Sequence, residues 1–322
     1  MNSALYRAAR IILLTSIAFS SAVPARFGLA RPPVPSVYPT VKTVRQPPGG
    51  IALRHLASAP EQRYFLYRPP RAGAGARVLV VVHGISRNAE EHAHRFKRLA
   101  KQYGIVLVAP LFPKATFPDY QRLGQSGKGG RPDRVLRALL DEVGALTGAD
   151  VSRVYLFGYS GGGQFVHRYA MAYPDQVAAV AVGAAGWYTF PDPAARFPHG
   201  LKTRSGSLKL RFKPAAFLKV PMAALVGERD VRRGSERPEL KQSATVDVQQ
   251  GLTRLERGRH WIEAMRAAAA AHGLTTAYRY EVLPHASHSF KASMKRGHLG
   301  QRAFDFLFGP PPARRNASAS ES

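Results

Sequence analysis

At 322 residues, with 45% hydrophobic content and Gly and Pro both well represented, the chain is long enough for one large α/β domain with an extension at its N-terminus. It has no Cys, which excludes disulfides, thiolate metal sites and lipoprotein attachment. Its 47 Lys and Arg against 20 Asp and Glu give a net charge of +27, enough to attract polyanions; the basic residues are scattered and no nucleic-acid reading motif accompanies them, which argues against specific nucleic-acid binding.

The N-terminus reads as an export address. Arg7 and Arg10 precede the apolar run Ile11–Phe19, which is too short to span a bilayer, and small residues suit cleavage after Ala22 or Ala25. The competing reading is an uncleaved anchor. Removing residues 1–22 takes away two arginines and no acid, leaving about +25. Residues 26–61, with Pro32-Pro-Val-Pro and Pro47-Pro-Gly-Gly50, read as an extended segment, residues 62–308 as the folded domain, and residues 309–322 as a disordered tail. The sequon Asn316-Ala317-Ser318 in that tail carries no weight.

Within 62–308, short apolar runs alternate with helical stretches. Strands are expected at Arg77–Val82, Ile105–Pro110, Val177–Gly183, Val220–Gly227 and Ala277–Pro284, and helices from near Asn88, over Arg134–Leu146 with Leu136, Leu139, Leu140 and Val143 on one face, and over Thr253–His272. Such alternation predicts a mostly parallel, doubly wound sheet with helices on both faces. The segment Gly124–Gly130 lacks the G-x-x-x-x-G-K-[ST] spacing of a phosphate loop and reads as a mobile loop.

One apolar run, Val154–Phe157, ends in Gly158-Tyr159-Ser160-Gly161-Gly162, and Gln164–Met171 can continue as a helix. A sharp strand-to-helix turn needs glycine two positions before and two after its central residue, and it leaves a serine exposed at the strand end. The pentapeptide alone is a weak signal in a Gly-rich chain. Three other strand ends strengthen it. Arg77–Val82 runs into His83-Gly84, Val220–Val226 into Gly227-Glu228-Arg229-Asp230, and Ala277–Leu283 into Pro284-His285-Ala286-Ser287-His288-Ser289-Phe290.

Together these segments resemble the α/β-hydrolase superfamily, and more narrowly the bacterial esterases of the polyhydroxybutyrate-depolymerase and feruloyl-esterase-like group, over roughly residues 62 to 308. The resemblance implies an α/β-hydrolase fold and a catalytic triad of Ser160 as nucleophile, Asp230 as orienting acid and His288 as base. Two alternatives stay open beside it: His285 for the base and Glu228 for the acid. The amides of Gly161 and Ile85 are the expected oxyanion donors, with Ser86 a neighbouring candidate. His83 reads as a buttress of its loop, and His94, His167, His260, His272 and His298 as surface or helix residues.

The aromatics of Gly186–Phe190 follow the strand after the elbow, so Trp187 and Tyr188 are candidate substrate contacts, with ordinary core packing as the rival reading. Residues 191–218 suggest a short irregular excursion in place of a full cap. There is no H-E-x-x-H and no tight acidic cluster to support a metal site, and acyl transfer through serine requires no cofactor. The expectation is an exported, periplasmic or secreted serine hydrolase of small-molecule or polymeric esters. Its rivals are a peptidase or amidase with the same triad, and a basic envelope-associated binding protein with a vestigial site. The high charge makes an anionic surface or polyanion a candidate partner.

Overall fold

The computed structural model describes residues 49–203, 210–232 and 244–310. The export signal, most of the extended segment and nearly all of the tail expected from the sequence lie outside the described residues. Eight strands form one sheet: β1 (Ile51–Leu56), β2 (Ala59–Tyr67), β3 (Arg77–Val82), β4 (Val106–Pro110), β5 (Asp150–Tyr159), β6 (Val177–Gly183), β7 (Met222–Gly227) and β8 (Tyr278–Leu283), in the order β1-β2-β4-β3-β5-β6-β7-β8. From β4 to β8 every pairing is parallel, and β1 and β2 are antiparallel to their neighbours.

The sheet therefore begins at Ile51, earlier than the boundary expected at residue 62. β1 folds back on β2, and β2 pairs in turn with β4, so residues 51–61 gain ladder hydrogen bonds. An antiparallel hairpin at a sheet edge alternates buried and exposed side chains, and His55, Glu61 and Arg63 at outward positions hide it from a search for apolar runs.

The central strands are apolar on both faces because both are covered. Val78, Val80 and Val82 of β3 point into one core, with Leu136, Leu139 and Val143 of α2 (Pro132–Thr147), Phe165 and Tyr169 of α3 (Gly161–Ala172), and Trp261 and Met265 of α6 (Arg254–Ala271). Leu79 and Val81 point into the other, with Phe96 and Leu99 of α1 (Ala89–Tyr103) and Leu299, Phe304 and Leu307 of α8 (Leu299–Phe308). The period of two along β3 thus feeds two helical layers. Between β6 and β7 the described residues hold one short helix, α4 (Pro214–Phe217), and an isolated bridge between Arg196 and Lys202, an irregular excursion without a helical cap among those residues. Two further short helices, α5 (Ala244–Gln250) and α7 (Phe290–Lys295), complete the fold.

Strand order reverses at β3, whose neighbours are β4 and β5. Crossovers leaving β3 and β5 run to opposite sides of the sheet, which opens a crevice at the carboxyl ends of these strands. That position decides where the site lies. No helix among the described residues is long and apolar enough to cross a membrane.

Candidate active site

Ser160 sits between β5 and α3 with φ 54° and ψ −111°, a backbone conformation that costs a non-glycine residue on the order of 1–3 kcal/mol. The surroundings hold it there. Its N–H donates to the Gly183 carbonyl at 2.8 Å, and its carbonyl accepts from Gln164 at 3.1 Å. The flanking glycines are required by contact: a Cβ on Gly158 would lie 2.2 Å from the Gly162 carbonyl oxygen, and one on Gly162 would lie 2.1 Å from that of Val82. Ser160 is therefore presented at the N-terminal end of α3, where unpaired amides and the helix dipole favour negative charge.

His288 and Asp230 meet this serine from two other strand ends. His288 Nε2 lies 3.2 Å from Ser160 Oγ, and Nδ1 lies 2.7 Å from Asp230 Oδ2. Asp230, in the turn after β7, is 1% exposed. Its second oxygen, Oδ1, accepts from Arg254 Nη1 at 2.9 Å. Burial pushes the Asp230 carboxyl up, but the hydrogen bonds and charges of His288 and Arg254 outweigh it and leave the group below the ordinary carboxylate range. The rivals lie elsewhere: His285 Nδ1 is 3.8 Å from Glu228 Oε2, and both side chains are more than half exposed.

The His288 loop is held from behind. Ser289 caps α7 by accepting from the Ala292 amide, and the Phe290 ring stacks on His92 with centroids 3.8 Å apart and planes 4° from parallel. The opposite wall is the turn after β3. His83 is fully buried: its Nε2 accepts from the Phe112 amide at 3.0 Å, so the proton resides on Nδ1, which donates to the Gly84 carbonyl at 2.8 Å. Tyr120 donates to the His83 carbonyl at 2.7 Å, and Arg87 lies over the Tyr120 ring while donating to the carbonyls of Phe112 and Phe117. The turn brings the Ile85 amide beside Gly161, where an added Cβ would stand 3.4 Å from Ile85 N.

Ser160, Gly161, Ile85, His288 and Arg254 line one cleft of about 640 Å³. Residues 62–194 match the family Esterase PHB depolymerase. Among solved structures, the chain resembles LpqC, a poly(3-hydroxybutyrate) depolymerase from Bordetella parapertussis, at 30% identity and a TM-score of 0.62, covering 79% of this chain and 86% of that one. The chain belongs to the PHB-depolymerase esterase family. It is also similar to poly(aspartic acid) hydrolase-1 from Sphingomonas sp. KT-1, at 25% identity and a TM-score of 0.64 over 81% of this chain and 99% of that one. Feruloyl esterase B of Talaromyces funiculosus matches at 29% identity over 122 residues, 36% of this chain and 34% of that protein, so the chain spans about a third of that relative's length. The fold is that of the α/β-hydrolases, and the family is one of carboxylesterase-like hydrolases.

Within this cleft the two expected aromatic contacts separate. Trp187 lines it, with Arg257 over its ring at 5.1 Å. Tyr188 does not: it is fully buried, stacked on Trp261 at 4.7 Å and tilted against His167 at 5.5 Å. Neighbouring residues of an extended segment point to opposite sides, so one ring reaches the cleft and the other the core. His167 is likewise a core residue, bridging the Gly163 carbonyl and the Thr189 amide. Gly124–Gly130, expected as a mobile loop, is tied back at both ends, with the Gly130 amide on the Thr116 carbonyl and the Ser126 amide on Asp119 Oδ2.

Sequence reasoning missed two basic residues of the cleft. Arg254 holds Asp230. Arg168 on α3 is fully buried and has only neutral acceptors: Thr189 Oγ1, the Gln121 carbonyl, Gln164 Oε1 and the Pro198 carbonyl. Neither has a local sequence signature, since their partners lie 4 to 47 residues away along the chain. Among the described residues no group of three or more His, Cys, Asp or Glu side chains is disposed to hold a metal ion.

Proposed function

We propose that the chain is an exported serine carboxylesterase that cleaves small or polymeric esters through an acyl-serine intermediate. The observation that carries this reading is the single line of contacts from Asp230 through His288 to Ser160 at a strained strand-to-helix turn. A serine hydroxyl is a poor nucleophile at neutral pH, and His288 Nε2 is within reach of its proton. In the first step Ser160 Oγ bonds to the substrate carbonyl carbon while His288 takes the proton. Asp230 holds the imidazole in the tautomer with Nε2 free to accept, and it stabilises the imidazolium that forms.

The tetrahedral oxygen collects charge at the N-terminus of α3, within reach of the Gly161 and Ile85 amides; loss of one such donor typically costs about 2.7–4 kcal/mol of transition-state stabilisation. His288 then returns its proton to the departing alcohol. A water repeats the sequence on the acyl-serine and releases the acid. Export rests on Arg7, Arg10 and the apolar Ile11–Phe19 segment, and N-terminal sequencing of the protein recovered outside the cytoplasm tests it.

The test of the chemistry is labelling with a fluorophosphonate, followed by turnover of p-nitrophenyl esters and peptide anilides. The wild type is expected to label, and Ser160→Ala and His288→Ala to lose both labelling and turnover. A folded wild type that neither labels nor cleaves an ester overturns the reading. An amidase reading has one observation in its favour, the likeness to a hydrolase named for poly(aspartic acid). Anilides cleaved faster than esters would select it.

A further inference from the structure

Helix α7 starts two residues after His288 and carries basic side chains away from the cleft. Between it and α1 lies a second groove of about 350 Å³, whose lining includes Arg95, Arg98, Lys291, Lys295 and His298 and contains no Asp or Glu. Arg95 is paired with Glu91 at 2.7 Å, but among the described residues no ion pair involves Arg98, Lys291 or Lys295. Lys291 lines both the groove and the cleft that contains Ser160, so the two cavities share a wall.

The cleft continues the same bias. Arg122, Arg168, Arg254 and Lys291 line it against one acidic side chain, Glu91, already engaged by Arg95. Arg254 has Asp230 as partner, and Arg168 has none that is charged. Cations gathered without counter-ions repel one another and create a local field that concentrates anions. Lys291 and Lys295 are one helical turn apart, about 6 Å along the axis, so they can meet successive charges on an extended chain.

We propose that this groove is the binding track for an anionic ester chain, an oligomer or polymer whose repeats carry free carboxylates. One repeat enters the Ser160 cleft past Lys291 while its neighbours pair with Arg98, Lys295 and His298. The inference rests on the esterase reading and adds the substrate class. The bonds are those of that reading: Ser160 Oγ–acyl forms as the ester C–O breaks, the alcohol leaves with the proton from His288, and water then frees the acid.

The test compares three probes on the full mature chain: poly(β-malic acid), which carries one free carboxylate per repeat, its neutral methyl ester, and p-nitrophenyl butyrate. The free polyacid is expected to be cleaved at least tenfold more efficiently than the methylated polymer at low salt, and to lose that advantage at 0.5 M NaCl as screening shortens the field. Arg98→Glu with Lys295→Glu, which line only the groove, should raise KM for the polyacid tenfold or more and leave p-nitrophenyl butyrate turnover unchanged. If that variant fails to fold, the methylation and salt comparisons on the wild type decide. A polyacid cleaved no faster than its methyl ester, while p-nitrophenyl butyrate is turned over, overturns this inference and leaves the esterase reading standing. Absence of any ester turnover overturns both. Salt-sensitive binding of anionic lipid vesicles without polyacid hydrolysis also overturns it and makes the groove a surface anchor.

Discussion

Arg254 and His288 grip opposite oxygens of Asp230, at 2.9 Å and 2.7 Å, so the carboxylate has no freedom to rotate. The two partners do different work. His288 takes Asp230 as its acceptor and is the larger influence holding this 1% exposed carboxylate ionised against burial, while Arg254 adds to that and fixes the second oxygen. Asp230→Asn should lower kcat by about 10⁴-fold, because an amide can present a donor to Nδ1 and so favour the wrong tautomer. Arg254→Met removes a charge-assisted hydrogen bond worth roughly 1.5–3 kcal/mol, and kcat/KM for p-nitrophenyl butyrate should fall by about ten- to a hundredfold. Arg254→Lys should recover part of that loss. Equal defects in the Lys and Met variants would assign Arg254 to packing alone.

Arg168 invites a different prediction because none of its hydrogen-bond acceptors is charged. Its guanidinium joins the Gln121 carbonyl, Gln164 on α3, Thr189 after β6 and the Pro198 carbonyl, four segments that border the cleft. Arg168→Met fills the same volume but leaves the Gln121 carbonyl and Gln164 Oε1 without this donor. The expected cost is about 3 kcal/mol in urea denaturation, since hydrogen bonds to a charged group carry about 1.5–3 kcal/mol each. KM should rise with it as the Gln121 and Pro198 loops lose their common anchor, while fluorophosphonate labelling of Ser160 persists. Unchanged stability would mean that water substitutes for the guanidinium.

How far the site could be read ahead of the structure follows from the range of each interaction. Ser160 is announced by glycines whose spacing is a steric demand of the turn, and β3, β6 and β7 by continuous apolar runs that a sheet covered on both faces requires. β1 and β2 escaped because an edge hairpin buries only alternate side chains. The helix α8 was missed although Leu299, Ala303 and Leu307 recur at four-residue spacing, a signal present and not used. Arg254 and Arg168 were out of reach in principle, because what marks them is the neighbourhood that folding builds. Tyr188 failed for a local reason: facing the cleft depends on strand parity, and Trp187 and Tyr188 differ by one.

Three buried histidines predict how the protein fails in acid. His83, His92 and His167 are each no more than 1% exposed. Burial pushes His83 down to about 3 and His92 to about 4, and burial with the charge of Arg168 holds His167 well below the usual imidazole range. Below about pH 6.5 the unfolded chain takes up these protons and the native state does not, so the unfolded state binds more protons and stability falls as pH falls. Each histidine contributes a slope of about 1.4 kcal/mol per pH unit, and with all three titrating the slope approaches about 4 kcal/mol per unit between roughly pH 6 and pH 4. For His83 and His167 the obstacle is concrete: Nε2 already accepts a backbone N–H, and a proton there would set donor against donor. His92 offers the cleanest check, because its Nε2 has no partner and its ring stacks flat on Phe290. His92→Phe keeps an aromatic ring in the stack and removes one titrating group, so the urea midpoint should decline less steeply from pH 6 to pH 4.5 than in the wild type. An unchanged slope would show that His92 stays accessible to protons in the native state.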